Sequence, residues 1–387
     1  MNGWQECKLR EVARLVKDTC VPKKGAHVPY IGLEHIQEQG LRLLGIGDSD
    51  SVISQKFQFK SNDVLFGKLR PYFRKVVKPI FDGICSTDIW VVRALEGNDQ
   101  DFIFYFFANQ EFVDTANSGD SGTRMPRADW NYIKETIWKF PPLPEQRAIA
   151  GVLSSLDDKI DLLHRQNKTL ESMAEALWRK MFVEEEDQEW KKGKLMDLGQ
   201  IVCGKTPSKK VAEYFGGHIP FIKIPDMHGN VFIFETEDSL TELGIKSQQN
   251  KTIPAKSICV SCIATVGLVC MNAIDSQTNQ QINTIIPNNK FQRYFLFLLM
   301  RNMTDDLFAR ASGGTATDNL NTGDFSRIEI SIPQENNIQQ FDDLVTDYFD
   351  KIYFNQIHIR TLSRLRDTLL PKLMRGEVRA KLEELKT

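Results

Sequence analysis

The sequence predicts an α/β protein: two globular α/β heads joined by two long antiparallel helices that form a coiled coil, with an internal pseudo-twofold repeat. Three observations predict it. Matched residues recur 192 positions apart: Asp158-Lys159-Ile160 with Asp350-Lys351-Ile352, Thr169-Leu170 with Thr361-Leu362, Leu177 with Leu369, and Lys180 with Lys372. Apolar residues alternate at spacings of four and three over two long stretches, the seam pattern of a coiled coil. The remainder holds short apolar, strand-like runs between polar turns.

The order of elements follows from the repeat: residues 1–144 a head, 145–183 a long helix, 184–336 a second head, and 337–382 a second long helix. In the first head the strand-like runs are Val64-Leu65-Phe66 and Ile89-Trp90-Val91-Val92, with a buried helix over Phe102 to Phe112. Pro144 precedes the first long helix, whose seam is Ile149, Leu153, Leu156, Ile160, Leu163, Asn167, Leu170, Ala174, Leu177 and Met181. The acidic stretch Glu184-Glu185-Glu186-Asp187-Gln188-Glu189 reads as a solvated linker. In the second head, Ile258-Cys259-Val260 and Thr284-Ile285-Ile286 read as strands and Phe291 to Arg301 as a buried helix. Looser matches tie the heads together: Val28-Pro29-Tyr30-Ile31 with Ile219-Pro220-Phe221-Ile222, Asp63-Val64-Leu65-Phe66 with Ser257-Ile258-Cys259-Val260, and Gly122-Thr123 with Gly314-Thr315. Pro333 precedes the last helix, where proline suits a start. Its seam is Phe341, Val345, Tyr348, Ile352, Asn355, Ile359, Leu362, Arg366, Leu369 and Leu373, and Gly376 is placed to close it.

Connectivity sets direction. The second head follows the end of the first helix and precedes the start of the second, so paired helices run antiparallel with a head at each end. A helix of about 38 residues at about 1.5 Å rise spans about 57 Å, on the order of one and a half turns of B-DNA. Asn167 and Asn355 on the seam are open to two readings: polar residues tolerated where the seam frays, or register-fixing residues whose burial costs stability but specifies pairing.

Composition limits the function classes. The chain has 387 residues, 41% hydrophobic, 26% charged, with a net charge of −2. That is length for two or three units with ample core, and the composition excludes a disordered chain. No run of 18 apolar residues exists, so no membrane span is expected, and Met1-Asn2-Gly3-Trp4-Gln5-Glu6 lacks the layout of a signal peptide. Seven cysteines thinly spread fit a reducing cytoplasm. A charge near zero argues against a nucleic-acid binder unless the positive charge is concentrated locally.

Lys56 to Lys78 carries Lys56, Lys60, Lys68, Arg70, Arg74, Lys75 and Lys78 against the single acid Asp63, interleaved with Phe57, Phe59, Phe66, Tyr72 and Phe73. Basic groups neutralise phosphates, and arginine also reads guanine edges. Candidate DNA contacts here are Lys56, Lys68, Arg70, Tyr72, Arg74 and Lys75; the competing reading is an amphipathic hairpin with its aromatics in the core. Thr123, Arg124 and Arg127 form a second basic loop. The second head offers Lys205, Thr206, Ser208, Lys209 and Lys210, then Gln280 and Gln281, with Thr315 as the counterpart of Thr123. Asparagine and glutamine suit adenine and equally serve as ordinary polar loop residues.

Several motifs mislead. Gly199-Gln200-Ile201-Val202-Cys203-Gly204-Lys205-Thr206 matches a phosphate-loop pattern, but the mechanism needs a buried strand before it and a helix after it. Lys191 to Leu198 is too polar for that strand, and Pro207-Ser208-Lys209-Lys210 opens a helix poorly. Cys259-Val260-Ser261-Cys262 is a lone pair without two further zinc ligands in suitable spacing; on a strand its cysteines face opposite sides. No metal site, HExxH motif, nucleophile elbow or amino-methyltransferase motif is found, so no catalytic residue is assigned.

Pro141-Pro142-Leu143-Pro144-Glu145-Gln146-Arg147 leads into the first long helix. With Phe66-Gly67-Lys68-Leu69-Arg70-Pro71, Gly204-Lys205-Thr206-Pro207-Ser208 and the two head-plus-helix repeats, the chain resembles, over essentially its whole length, the specificity subunit of type I restriction–modification systems. The second copy of the proline motif, Ile332-Pro333-Gln334-Glu335-Asn336, departs from the pattern. The resemblance implies that each head is a target recognition domain for half of a bipartite double-stranded DNA site. It implies that the helices set the gap and dock two methyltransferase subunits, with restriction and translocation subunits completing the complex. Methylation from S-adenosylmethionine and ATP/Mg-driven cleavage then belong to partner chains, with no cofactor in this one, no membrane association and a cytoplasmic location. The alternatives are a coiled-coil adaptor whose two heads bind protein, and a nucleotide hydrolase built on Gly204-Lys205-Thr206.

Overall fold

Runs that are apolar at every position become strands covered on both faces. In a computed structural model describing residues 3–118, 125–185, 190–312 and 319–380, Val64–Gly67 pairs antiparallel with Ile89–Ala94. Val64 and Phe66 pack with Trp90, Val92 and Phe107, whereas Leu65 packs with Val16, Ile31 and Val91. The alternation is the two-residue period of the pleat, and with both faces buried no polar face has to be kept. Ile258–Ser261 does the same: Ile258 and Val260 join Ile285 and Tyr294, while Cys259 joins Ile222, Cys270 and Ile282.

The chain divides into two compact units, Met1–Asp161 with Arg360–Thr387, and Leu162–Ile359. This differs from the four segments read from the sequence, because each unit combines a head with a stretch of both long helices. The reason is burial. Ile149, Leu153, Leu370 and Leu373 belong to the core of the first head, and Ala174, Trp178, Phe182, Phe341, Val345 and Phe349 to that of the second.

Both units follow one plan. The first has a sheet ordered Ala13–Val16, Ile89–Ala94, Val64–Gly67, Val76–Val77; the second has Gly199–Cys203, Ile282–Pro287, Ile258–Ser261, Val269–Asn272, with Phe232–Ile233 added. A parallel pairing recurs, Tyr30 and Ile31 with Ile84 and Cys85, then Phe221 and Ile222 with Gln277 and Thr278. A closing antiparallel pair recurs too, Gln5–Lys8 with Ile137–Phe140 and Lys191–Lys194 with Glu329–Ile332. The helix expected over Phe102 to Phe112 is two helices, Gln100–Ala108 and Gln110–Ser118, broken where Asn109 turns extended. Its counterpart is Arg293–Asn302.

The first long helix is Leu143–Arg179, extended by a π-helical turn at Lys180–Glu184; the second is Glu335–Met374. The second ends short of the expected residue 382 because Gly376 takes a left-handed φ of 68°, and the turn there satisfies the last carbonyls of Lys372 and Leu373. Within each unit the helix stretches are antiparallel. In the first, Asp157 meets Arg366, and Glu145 meets Arg379 just past the second helix's end; in the second, Asn167 meets Asn355 and Phe182 meets Phe341. Ile149, Leu153, Ile160, Leu163, Val345, Ile352 and Leu373 are buried, whereas Leu156, Leu170, Leu177, Tyr348, Ile359, Leu362 and Leu369 are half-buried. Trp178, Phe182, Phe349 and Leu370, outside the strict four-three seam, are buried instead. The helices there lie on head cores, which demands a wider apolar face than a partner helix does; the Phe349 ring stacks on Tyr294 at 4.2 Å.

Candidate nucleic-acid interface

In the first head the basic stretch leaves the end of strand Val64–Gly67. Lys68 donates its N–H to the Asp88 carbonyl at 2.9 Å and accepts from the Ala128 N–H at 2.9 Å, while Leu69 bridges Arg127. Arg70 and Arg74 flank the short turn Pro71–Phe73, both with left-handed φ, 52° and 46°. Such a conformation costs a non-glycine residue energy and here is braced: the Gln39 side chain donates to the Tyr72 carbonyl at 2.6 Å, and the Arg74 guanidinium donates to the Gln39 carbonyl at 2.6 Å.

The predicted contacts separate by burial. Tyr72 and Arg127 are exposed, and Lys68 and Arg70 are half-buried. The Nε of Arg70 is buried without a hydrogen-bond partner among the described residues. Lys56 points inward: its ammonium lies 2.6 Å from the Ser54 hydroxyl and over the Tyr30 ring. Arg74 is 9% exposed and faces Asp367 at 3.5 Å; burial lowers its pKa, and Asp367 opposes that shift. Lys75 donates to the Leu33 carbonyl at 2.8 Å and pairs with Glu38 at 3.3 Å. Lys56, Arg74 and Lys75 are therefore structural cations, held by acceptors of the protein itself. Thr123, Arg124 and Thr315 lie outside the described residues.

In the second head two loops meet. A Cβ on Gly204 would lie 2.1 Å from the Asn279 carbonyl, so only glycine permits the approach. The Lys205 N–H donates to the Thr278 carbonyl at 2.9 Å, and the Thr206 hydroxyl donates to the Gln280 side chain at 2.7 Å. Gln281 accepts from the Asn279 side chain at 2.9 Å. Lys205, Ser208, Lys209, Lys210 and Gln280 are exposed, Thr206 and Gln281 half-buried. Lys205 and Thr206 thus join Gln280 and Gln281 at one edge of the head.

Asp88 and Asn319 are not among the residues that sequence reasoning selects. The 192-residue offset carries Arg127 to Asn319, so the repeat itself holds a signal for that position. The same offset carries Asp88 to Gln280, one residue short of the Gln281 that the backbone bonds place in its position.

The phosphate-loop pattern is unsupported by its surroundings. Gly199–Cys203 pairs antiparallel with Ile282–Pro287, and a loop and a short 3-10 turn at Ala212–Tyr214 follow it rather than a helix. Cys259, Cys262 and Cys270 are buried, Cys259 and Cys262 in different cores; burial pushes the Cys262 thiol up to about 11, away from thiolate reactivity. Among the described residues one exposed trio, His27, Asp48 and Asp50, brings possible ligand atoms within 4.8 Å of one another. Its groups tie the loop, with His27 on Asp48 at 3.0 Å and Asp50 accepting from the Gly25 N–H at 2.9 Å. No helix among the described residues is long and apolar enough to cross a membrane.

The type I restriction modification DNA specificity domain model matches the chain twice, over residues 1–172 and 187–362. The HindI specificity subunit of Haemophilus influenzae is 32% identical over 463 aligned positions, covering 98% of this chain and 100% of that one. The MjaIX specificity subunit of Methanocaldococcus jannaschii is 28% identical over 313 positions, covering 75% and 71%. The crystal structure of a type I S subunit from M. genitalium aligns with a TM-score of 0.58 over 96% of each chain at 16% identity, a likeness of fold. The protein-adaptor alternative finds no support in these matches. Two domain matches spanning most of the chain, and a relative this similar along its whole length, place the protein in the type I restriction–modification DNA specificity family, as a specificity subunit with two DNA specificity domains in tandem.

Proposed function

We propose that each head reads one half of a bipartite double-stranded DNA site, that the long helices set the gap between the halves, and that they dock two methyltransferase subunits. One observation carries the reading: a head scaffold recurs in one chain, with the same order of four strands in one sheet and the same closing pair, but with different side chains on its loops. A repeated scaffold with divergent loops suits two different half-sites. Lys68, Arg70, Tyr72 and Arg127 serve the first half; Lys205, Thr206, Ser208, Lys209, Lys210, Gln280 and Gln281 serve the second. The chain itself carries out no chemistry. Methyl transfer from S-adenosylmethionine, and restriction with ATP and Mg, belong to the methyltransferase and restriction subunits it assembles with in the cytoplasm. The relatives' description as specificity subunits of restriction enzymes supports this division.

Genome-wide methylation mapping, with and without this chain beside its methyltransferase, tests the reading. A two-part motif that appears only with the chain is expected, and residues inserted into both long helices in register lengthen its gap. A motif independent of the chain overturns the reading, and a gap that ignores the insertion overturns the ruler.

A further inference from the structure

This inference rests on the DNA reading above and concerns which base pair each head selects. The two heads share a hydrogen-bonded corner. In the first, the Lys68 N–H donates to the Asp88 carbonyl at 2.9 Å, the Ala128 N–H donates to the Lys68 carbonyl at 2.9 Å, and Leu69 bridges Arg127. In the second, the Cys262 N–H donates to the Gln281 carbonyl at 2.8 Å, the Leu320 N–H donates to the Cys262 carbonyl at 2.9 Å, and Ile263 bridges Asn319. A short helix follows each corner, capped by Asp129 over Trp130–Ile133 and by Asn321 over Thr322–Ser326. Asp88 thus occupies the place of Gln281, and Arg127 the place of Asn319.

On this shared backbone the chemistry changes as a pair. The first head has an ion pair, Arg127 Nε to Asp88 at 3.3 Å, with the two side chains 55% and 30% exposed. The second has two neutral carboxamides, Asn319 exposed and Gln281 half-buried. A packing requirement would act on buried positions, and both corners already meet it with the buried Ile133 and Phe325. A guanidinium matches O6 and N7 of guanine, a carboxylate accepts from N4 of cytosine, and a carboxamide matches N6 and N7 of adenine. We propose that residues 88 and 127 are the base-reading pair of the first head, selecting a G·C pair, and that residues 281 and 319 are the equivalent pair of the second, selecting an A·T pair. Asp88 orients the arginine fork from its Nε side and complements the cytosine of the same base pair.

The test is selection from duplexes randomised across both half-sites, using the full chain assembled with its methyltransferase subunits. The wild-type complex enriches G·C at one position of the first half and A·T at one position of the second. Arg127→Asn with Asp88→Gln, which moves the second head's pair into the first, lowers that G·C preference about tenfold or more and leaves the second half unchanged. Arg127→Met keeps the side chain's bulk but removes every donor to guanine O6 and N7, so it lowers the same preference; it also decides the matter if the double variant fails to fold. A first half enriched without any G·C position, or a preference that survives Arg127→Met, overturns the assignment while the DNA reading stands. No enrichment in either half overturns the DNA reading itself.

Discussion

Arg366 of the second long helix and Asp157 of the first form an ion pair at 2.7 Å inside the first unit, with the arginine side chain only 7% exposed. The Asp157 carboxylate also accepts the Tyr105 hydroxyl at 2.7 Å, so the pair joins both helices to the buried helix of the head. Removing Asp157 leaves the buried Arg366 guanidinium with only the more exposed Asp367, at 3.2 Å. Asp157→Ala is expected to cost about 1–3 kcal/mol, whereas replacing both Asp157 and Arg366 with leucine costs less. Chemical denaturation of the full chain checks this; equal losses for the two variants would remove the electrostatic explanation.

Asn167 and Asn355 meet in the second unit, the Asn355 amide donating to the Asn167 side-chain oxygen at 2.8 Å, while the Asn355 oxygen lacks a partner among the described residues. Of the two sequence readings the contact supports register fixing over fraying, since both residues are buried. The double change to leucine is expected to raise stability by about 1 kcal/mol or more while loosening pairing specificity. Thermal melting and hydrogen exchange on the helix amides read these two effects separately. A double variant that is less stable than the parent would contradict the expectation.

Lys68 and Arg70 differ from Arg74 in consequence. Neutralising Lys68 and Arg70 is expected to reduce the slope of log affinity against log salt by about one for each phosphate no longer neutralised, with the fold unchanged. Arg74→Ala is expected instead to lower the melting temperature of the first unit, because it unbraces the Gln39 carbonyl and leaves Asp367 with fewer partners. Salt titration of DNA binding beside a melting curve distinguishes them; a melting temperature unmoved in Arg74→Ala would make that residue a candidate DNA contact again.

Asp342 provides a pH prediction. Burial raises its carboxyl pKa above the ordinary value of 3.8, against the opposing charge of Arg293, and its Oδ1 has no hydrogen-bond partner among the described residues. A carboxyl pKa raised by folding means that the folded state binds more protons, so this group disfavours folding increasingly as pH rises through the carboxylate range. Asp342→Asn is expected to stabilise the second unit at neutral pH and to flatten that part of the stability profile. Urea midpoints from pH 4 to 7 would show an unchanged slope if the residue were not responsible.

The strands at Val64 and Ile258 were legible because continuous apolar runs carry their own signal, and the long helices because four-three spacing does. The role of Asn109 was not: nothing in Phe102 to Phe112 announces the break, which follows from the way the two short helices fold onto the head. The Gly204 loop showed a phosphate-binding pattern in its letters, yet its glycine serves the close approach of the Asn279 carbonyl, a neighbour distant in sequence. The basic stretch was legible as charge, and not as direction.

By itself the sequence determined the duplicated head-and-helix plan, the direction of the helices and the local concentration of positive charge beneath a net charge of −2. Each of these is written in periodicity or spacing, which neighbouring residues impose on one another. The tertiary structure decided which cations of the basic stretch are held by the protein's own acceptors, and which residues of one head stand in for those of the other. Arg74 meets Asp367 across 293 residues, and Asp88 is matched to Gln281 only through backbone hydrogen bonds. Such relations depend on partners brought together by folding, and burial is a property of those partners rather than of any local stretch.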